Sequence, residues 1–223
     1  MIIVTSLSAN HSNKANQQAA IDSWQQYGKC YSMNGFNENI EGFTGIEFIK
    51  TDLTMGHLYG KPLVNIHSVF HFAKEKRTDL LMTNSDIIFR DLPEFKQDGV
   101  TILSRHDYDH DINASKKFEN GFDVFYIPAK FLHIFPLSIY ALGACWHDYS
   151  TPMVAINNNI PVYSFRGKHT FHKLHPVQYP VKEYYDIGEF FKWEFKLNRK
   201  LQVPQIASQT LALINSKIIY LDS

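Results

Sequence analysis

The sequence predicts an α/β protein in which a mostly parallel β-sheet is flanked by helices on both faces. Short apolar runs alternate with segments of helical periodicity along the first half of the chain. Strands separated by helices of this length imply βαβ crossovers and therefore parallel pairing. Hydrophobic residues make up 44% of the 223 residues, which suffices for the core of one large domain spanning residues 1–223.

The first half alternates strands and helices. Residues 14–27 place apolar side chains on one helical face, and Gly28 follows where a helix would end. Pro62 suits the first turn of a second helix, because apolar residues then recur at spacings of three and four. Strands are expected at residues 2–7, 45–50, 79–83 and 100–104.

The second half has fewer regular patterns. Residues 166–200 contain eight Lys or Arg against four Asp or Glu and are locally basic. From about residue 177 the chain is interpreted as a loop-rich tail that is rich in aromatic residues. Strands are expected at 122–127, 162–165 and 218–221, and helices near 147–157 and 205–215.

Composition excludes several classes of protein. The 22 basic and 22 acidic side chains cancel, so no global charge favours nucleic acid or an anionic membrane. Two cysteines are too few for a disulfide framework and fit a reducing compartment. The start MIIVTSL has no basic segment of a secretory signal, and the longest apolar stretch is broken by Pro136. A soluble, cytoplasmic protein with no membrane span is expected.

A carboxylate interrupts an otherwise apolar stretch, LLMTNSDIIF (80–89). Asp86 follows a predicted strand, and open α/β sheets bind ligands outside the carboxyl ends of their strands. An Asx-turn without a ligand is the plain alternative. The loop after the first strand has no GxGxxG fingerprint, and the chain has no P-loop, so a Rossmann dehydrogenase or a P-loop ATPase is disfavoured.

Five motifs occur in a recognisable order: Asn-Ser-Asp after a strand, ILSRHD, GFDVF, LGACWHD and HKLH. This order resembles bacterial and viral glycosyltransferases of the GT-A fold, a Rossmann-like α/β fold, over about residues 1–176. The usual Asp-x-Asp metal motif departs here to Asn84-Ser85-Asp86, so only Asp86 is a full carboxylate. The resemblance implies a nucleotide-binding half (about 1–104) and an acceptor-binding half with the tail (about 105–223).

The resemblance also implies a reaction and a site. A nucleotide-sugar, most simply a uridine diphosphate sugar, would donate a hexosyl or pentosyl group to an acceptor hydroxyl. A cation such as Mn²⁺ or Mg²⁺ neutralises the departing diphosphate. Three groups of residues follow: Asp86, His172 and His175 for the metal; Thr5, Ser6, Asp52, Lys61, Asn84, Ser85 and Arg105 for the nucleotide-sugar; Asp123 and Asp148 for catalysis.

Simpler explanations exist for several of these residues. Polar residues at strand ends are commonly turn formers, Arg105 could form a surface salt bridge, and Asp148 could cap a helix. His172 and His175 could be ordinary loop histidines. The run HDYDHD (106–111) is interpreted as a solvated acidic loop, because a loop lacks an element that would fix ligand geometry.

Rival functions remain open at this point. A nucleotidyltransferase would need a glycine-rich basic loop after the first strand, whereas that loop offers only Lys14. A catalytically inactive carbohydrate- or nucleotide-binding module could use the aromatic tail: Tyr179, Tyr184, Tyr185, Phe190, Phe191, Trp193 and Phe195. The acceptor could be a saccharide or, less simply, a hydroxymethylated base of viral DNA. That nucleic-acid alternative rests on the basic run Lys192, Lys196, Arg199 and Lys200.

Overall fold

The computed structural model describes residues 1–8, 14–175 and 181–222. Within these ranges it has two β-sheets and six α-helices. The strands are β1 (Ile2–Thr5), β2 (Lys29–Gly35), β3 (Glu47–Thr51), β4 (Leu80–Thr83), β5 (Ile87–Phe89), β6 (Val100–Leu103), β7 (His106–Tyr108), β8 (Lys116–Lys117), β9 (Val124–Ile127), β10 (Val162–Phe165), β11 (Thr170–Lys173) and β12 (Ile218–Leu221). The helices are α1 (Lys14–Trp24), α2 (Gly56–Tyr59), α3 (Ile66–Glu75), α4 (His147–Asn157), α5 (Val181–Glu194) and α6 (Val203–Lys217).

The main sheet is mostly parallel, as predicted. Its eight strands follow the order β12-β10-β6-β9-β4-β1-β2-β3. Every neighbouring pair is parallel except the two that involve β9, which runs antiparallel to β4 and β6. From β1 the chain reaches β2 on one side and later β4 on the other. The strand order therefore reverses beside β1, and such a switch point leaves a crevice at the carboxyl ends of the strands.

Helices cover both faces of this sheet, also as predicted. Alternate residues of β1 enter different cores: Ile2 and Val4 pack in the cluster that contains α3 and α4, whereas Ile3 packs with Trp24 of α1. Because successive strand residues point to opposite faces, a strand buried on both sides must be apolar throughout. This explains why the central strands have uninterrupted apolar sequences.

A second sheet, β5-β11-β7-β8, lies beyond the carboxyl edge of the first and was not predicted. Its middle strand β11 pairs antiparallel with β5 and parallel with β7. The register sets His172 opposite Ile87 on one side and opposite Asp107 on the other. The small sheet thus brings the histidine-rich segment next to the turn that contains Asp86.

Several elements differ from those predicted from the sequence. No strand was predicted at β2, whose polar residues are buried because Ser32 Oγ donates to Asn34 Oδ1 (2.6 Å) and Asn34 Nδ2 donates to the Leu7 carbonyl (2.8 Å). Pro62 does not lie in the first turn of α3. That helix begins at Ile66, after Asn65, whose side chain accepts a hydrogen bond from a backbone N–H of the first turn.

The prediction of a loop-rich tail was wrong. The tail contains α5, which packs on Trp146 through Phe191 (ring centroids 4.8 Å apart) and the stacked Tyr184 (5.4 Å). Phe191 is fully buried, while Tyr185 and Trp193 remain exposed, so the aromatic residues are divided between core and surface. Tyr179 lies outside the described residues.

No helix among the described residues is long and apolar enough to cross a membrane, and the longest, α6, has 15 residues.

The contact between α5 and Trp146 generates a stability prediction. A methyl group added at Gly188 would lie 2.7 Å from Trp146 Cζ2, so Gly188→Ala must displace packed atoms. We expect a loss of about 1–3 kcal/mol in the free energy of unfolding from overpacking, although helix propensity alone would favour Ala by up to about 1 kcal/mol. Chemical denaturation measures the change, with Asp186→Ala on the exposed side of the same helix as control. A Gly188→Ala protein of unchanged or higher stability would contradict this packing.

Candidate functional site

The switch point of the main sheet has polar residues at the ends of β1 and β4. Thr5 is fully buried, and its Oγ1 has no hydrogen-bond partner in the described chain, while Ser6 next to it is half-buried. Asn84 and Ser85 follow β4, and Ser85 Oγ accepts a hydrogen bond from Gln17 of α1 (2.8 Å). These four predicted nucleotide-sugar residues therefore lie together at the carboxyl ends of two neighbouring parallel strands, where open α/β sheets bind ligands.

Asp86, His172 and His175 meet beside this crevice. Asp86 Oδ2 lies 2.9 Å from His175 Nε2 and 3.4 Å from His172 Nε2, and the two Nε2 atoms are 3.2 Å apart. Asp86 comes from the turn between β4 and β5, His172 from β11, and His175 from just beyond β11. The pairing of β5 with β11 thus assembles residues from positions 86 and 175 into one cluster.

The spacing of these three donor atoms fits a divalent cation. Two donors about 2.1 Å from an ion lie about 3.0 Å apart at right angles and about 3.4 Å apart at a tetrahedral angle. The three separations, 2.9, 3.2 and 3.4 Å, fall in that range. Two imidazoles with one carboxylate suit Mn²⁺, Fe²⁺ or Zn²⁺ better than Mg²⁺, which prefers oxygen donors. Of the two cations expected from the resemblance, Mn²⁺ therefore suits these donors better than Mg²⁺.

Asp107 orients one of the histidines, and sequence reasoning missed it. Its Oδ1 lies 2.9 Å from His172 Nδ1, so a proton on Nδ1 leaves the Nε2 lone pair facing the cluster. This carboxylate–imidazole arrangement is typical behind metal-ligating histidines. Residues 106–108 form strand β7, so the solvated loop predicted for 106–111 was wrong at its start. The available signal was alternation: His106 is buried, and Asp107 points to the other face.

Asp86, His172 and His175 are called the cation cluster below. Arg105 connects this cluster to the predicted catalytic acids. Its guanidinium contacts Asp107 Oδ1 (2.8 Å) and Asp123 Oδ1 (3.1 Å) and lies over the Phe118 ring at 4.2 Å. Burial disfavours its charge, but Asp123 and Asp107 outweigh that effect and hold the pKa of Arg105 above its usual value. The guanidinium is an internal ion-pair partner rather than a surface one.

Asp123 sits where Arg105 and Asn84 converge. Asn84 Nδ2 donates to Asp123 Oδ1 (2.6 Å), and the backbone of residue 84 also bonds that of residue 123. Asp123 is buried, yet its Oδ2 and the amide oxygen of Asn84 have no partner among the residues described here. Buried polar atoms are nearly always satisfied, so these two oxygens favour a polar ligand or water at this point.

Asp148 lies in the first turn of α4, where a carboxylate is favoured by the helix dipole. Its carboxylate also bonds the N–H groups of Asp148 and Tyr149, so the predicted role as a helix cap has a structural basis. Burial, reinforced by the negative charge of Asp123, nevertheless raises the pKa of Asp148 to about 8. Trp146, directly before α4, has a φ of 73°. This left-handed conformation costs a non-glycine residue on the order of 1–3 kcal/mol and is often found at functional sites.

Asp52 and Lys61 lie on the rim. Asp52 is exposed just after the edge strand β3, two strands from β1, which at sheet spacing is about 10 Å. Lys61 is exposed beside Pro62, whose Cβ is 3.6 Å from a Cβ built on Gly35 at the end of β2. Both residues lie on the β2–β3 side of the main sheet. Sequence reasoning missed Glu38 there, which accepts a hydrogen bond from the Gly35 N–H (2.8 Å).

Comparison of the chain with known protein families and with curated proteins finds no match to either.

The cluster generates a prediction about cation affinity. Asp107→Asn should weaken Mn²⁺ binding by about 10–100-fold, because the amide no longer fixes the tautomer of His172. Asp86→Asn, which removes the negative charge, and His175→Ala, which removes a donor nitrogen, should weaken it further. Calorimetric titration of Mn²⁺ measures the series. His110→Ala is the control, since that imidazole lies in the same sequence run but has a side chain that is 91% exposed. Equal affinity in all four variants would show that the cluster holds no cation.

Asp148 generates a prediction about pH and stability. A carboxyl whose pKa is about 8 when folded and about 3.9 when unfolded stays protonated in the folded state over that range. The folded state then binds more protons, so the free energy of unfolding falls as pH rises from about 4 to about 8. Asp148→Asn should remove this fall, and urea denaturation at pH 5 and pH 8 in the presence of EDTA measures it. Parallel pH profiles for the two proteins would contradict a raised pKa.

Proposed function

We propose that this protein is a Mn²⁺-assisted glycosyltransferase that moves a sugar from a nucleotide-diphosphate donor to an acceptor hydroxyl. One observation carries the proposal. A continuous chain of contacts, His172–Asp107–Arg105–Asp123, links a cation-binding cluster to a pair of catalytic acid candidates at the switch point of an α/β sheet. An enzyme that separates a diphosphate from a sugar needs the cation cluster and the acids within the span of one donor molecule.

The donor side is formed by the strand ends. Thr5, Ser6 and the Asn84-Ser85 pair border the crevice, and Asp86 with the two histidines would hold the cation. That cation, when bound, orients the diphosphate and neutralises the charge that grows on it as the sugar leaves. At an effective dielectric constant near 20, opposite unit charges about 4 Å apart attract by roughly 4 kcal/mol. Since each ~1.4 kcal/mol changes a rate tenfold, loss of this attraction would reduce turnover several hundredfold.

Asp123 is assigned to the donor sugar. One of its oxygens is held by Arg105 and Asn84, and the other is buried without a partner in the part of the chain that is described. A sugar hydroxyl that donates to this oxygen would satisfy it, and the Asn84 amide oxygen could accept a second hydroxyl. This assignment would give partners to two buried acceptors that lack them among the described residues.

Asp148 is assigned to the acceptor as general base. A base works best when its pKa lies near the working pH, and burial beside Asp123 raises this one to about 8. The opposing effect of the Arg105 charge is the smaller one. Arg105 forms its ion pair with Asp123, which leaves the Asp148 carboxyl to accept a proton.

The alternative of a nucleic-acid acceptor has less support. Lys192, the first residue of the basic run, is buried and is bonded to Glu189 and to the Leu201 carbonyl. It therefore cannot contact phosphates without unfolding the end of α5. A binding module without activity would not need an acid of raised pKa beside the cation cluster.

The test is a screen of nucleotide-sugars for Mn²⁺-dependent hydrolysis and transfer, with uridine diphosphate sugars first. Asp86→Asn should abolish turnover. Asp148→Asn should slow transfer by about 10²–10⁴-fold while leaving donor affinity nearly unchanged, because the amide keeps the shape but cannot take the proton. A thermal shift with Mn²⁺ and uridine diphosphate reports donor binding separately, since a ligand that binds the folded state raises its melting temperature.

Two outcomes would overturn the proposal. One is an absence of any melting-temperature change with millimolar nucleoside diphosphates and Mn²⁺. The other is an Asp86→Asn protein that turns over a donor as fast as the unsubstituted protein. If Asp148→Asn loses only stability and keeps its rate per folded molecule, Asp148 is a helix cap and the base is another residue.

A further inference from the structure

A cavity of about 700 Å³ lies on the other half of the same sheet edge. It is bounded by the carboxyl ends of β6 and β10, by β12, and by α6. None of the residues predicted from sequence as site residues lines it. A cavity of this size accommodates a ligand as large as a mono- or disaccharide.

The lining of this cavity is basic. It includes Lys117, Arg166 and Lys168, against the single carboxylate of Glu119, which forms an exposed ion pair with Lys117 at 3.5 Å. Arg166 is paired with Asp222 at 3.3 Å, but both side chains are largely exposed and such pairs are weak. Lys168 is held by the carbonyl of Ser115 (3.1 Å), which adds no negative charge. The cavity therefore attracts an anion, in a protein whose formal net charge is zero.

Two buried imidazoles border the same cavity. His106 and His169 are 9% and 7% exposed. His106 Nδ1 and His169 Nε2 have no hydrogen-bond partner among the described residues, whereas His169 Nδ1 is satisfied by the Asp91 carbonyl (2.7 Å). Both nitrogens have almost no exposed surface, so a ligand in the cavity does not reach them. The imidazoles contribute ring surface to the lining, beside the cations.

The wall of the cavity adjoins the candidate base. Gly121 and Phe122 are part of the lining, and a methyl group added at Gly121 would overlap the Asp148 Oδ2 atom. Only a glycine lets the backbone approach the carboxylate so closely. Asp148 does not itself line the cavity, but a ligand that contacts Gly121 lies next to the residue that contacts the Asp148 carboxylate.

We propose that this cavity binds the acceptor, and that the acceptor is an anionic saccharide, a sugar that carries a carboxylate or a phosphate group. The cations of the lining hold the anionic group, and the sugar lies against the imidazole rings and Gly121, the residue that contacts Asp148. The binding part stands on the cavity alone, and only the role as acceptor rests on the glycosyltransferase function proposed above.

Binding is tested without donor and without Mn²⁺, so that its failure is distinct from a failure of the transfer reaction. The probes are glucuronate and glucose 6-phosphate, with neutral methyl glucoside and inorganic phosphate as comparisons, each titrated by calorimetry or by NMR. Both anionic sugars should bind more tightly than either comparison. Arg166→Gln/Lys168→Gln should weaken both by about tenfold or more, since hydrogen bonds to charged groups are removed.

A matched variant and a second double variant make the test specific. Lys116→Gln removes a neighbouring exposed cation that does not line the cavity, and it should leave the affinity unchanged. Arg166→Gln/Lys117→Gln keeps the bonds of Lys168 to the backbone and should still weaken binding, which excludes a collapse of the loop around Ser115. Urea denaturation verifies that each variant is folded.

Three results would overturn the inference: no binding of either anionic sugar at millimolar concentration, equal binding of methyl glucoside, or binding of inorganic phosphate as tight as that of glucose 6-phosphate. The acceptor role has a separate test. Suppose that the protein hydrolyses its nucleotide-sugar donor and binds an anionic sugar in the cavity, but does not glycosylate that sugar. This result would overturn the acceptor role and leave the proposed donor chemistry intact.

Discussion

The ion pair of Arg105 with Asp107 and Asp123 is the interaction on which the candidate site depends. The guanidinium is largely buried, and so are its partners, so each charge is tolerable only because the others are present. Removing one member of a buried ion pair typically costs about 3–5 kcal/mol, since the remaining charge is left uncompensated. Through Asp107 the same guanidinium orients His172, and through Asp123 it is bound to Asn84. The cation cluster and the acids therefore cannot be positioned independently.

The two sheets explain how residues so distant in sequence meet. The main sheet supplies Asn84 and Asp123, because β4 and β9 are neighbours and the residues that flank their paired segment lie side by side. The small sheet supplies Asp107 and His172 through the parallel pairing of β7 with β11. Arg105 lies between β6 of the first sheet and β7 of the second, so a single residue spans the junction. A shift of one residue in the β7–β11 register would turn His172 to the other face of the sheet and separate it from Asp86 and His175.

The sequence allowed the α/β class to be predicted because the central strands are apolar on both faces and alternate with amphipathic helices. It did not allow β2 to be predicted, because Ser32 and Asn34 are satisfied by hydrogen bonds that periodicity cannot reveal. Asp86, His172 and His175 were proposed as metal ligands from the order of the motifs. Their local sequence does not indicate that they lie close together. Asp107 was missed for the same physical reason: its partner His172 is 65 residues away, and only sheet register brings them together.

The two acids differ because their environments differ. Asp123 contacts the Arg105 guanidinium and the Asn84 amide directly, whereas Asp148 is bonded by N–H groups of its own helix and is affected more by the repulsion of Asp123 than by the attraction of Arg105. Differences of environment between neighbouring carboxyls are a recurrent way to give them different roles. The arrangement has a cost in stability, since a carboxyl that resists ionisation in the folded state ionises freely once unfolded. Trp146, held in a left-handed conformation directly before α4, is a second local cost at the same place. Both costs concentrate where α4 meets the crevice, and packing of α5 on Trp146 provides the compensation. Helix α5 is therefore part of the site's support, although none of its residues belongs to the cation cluster.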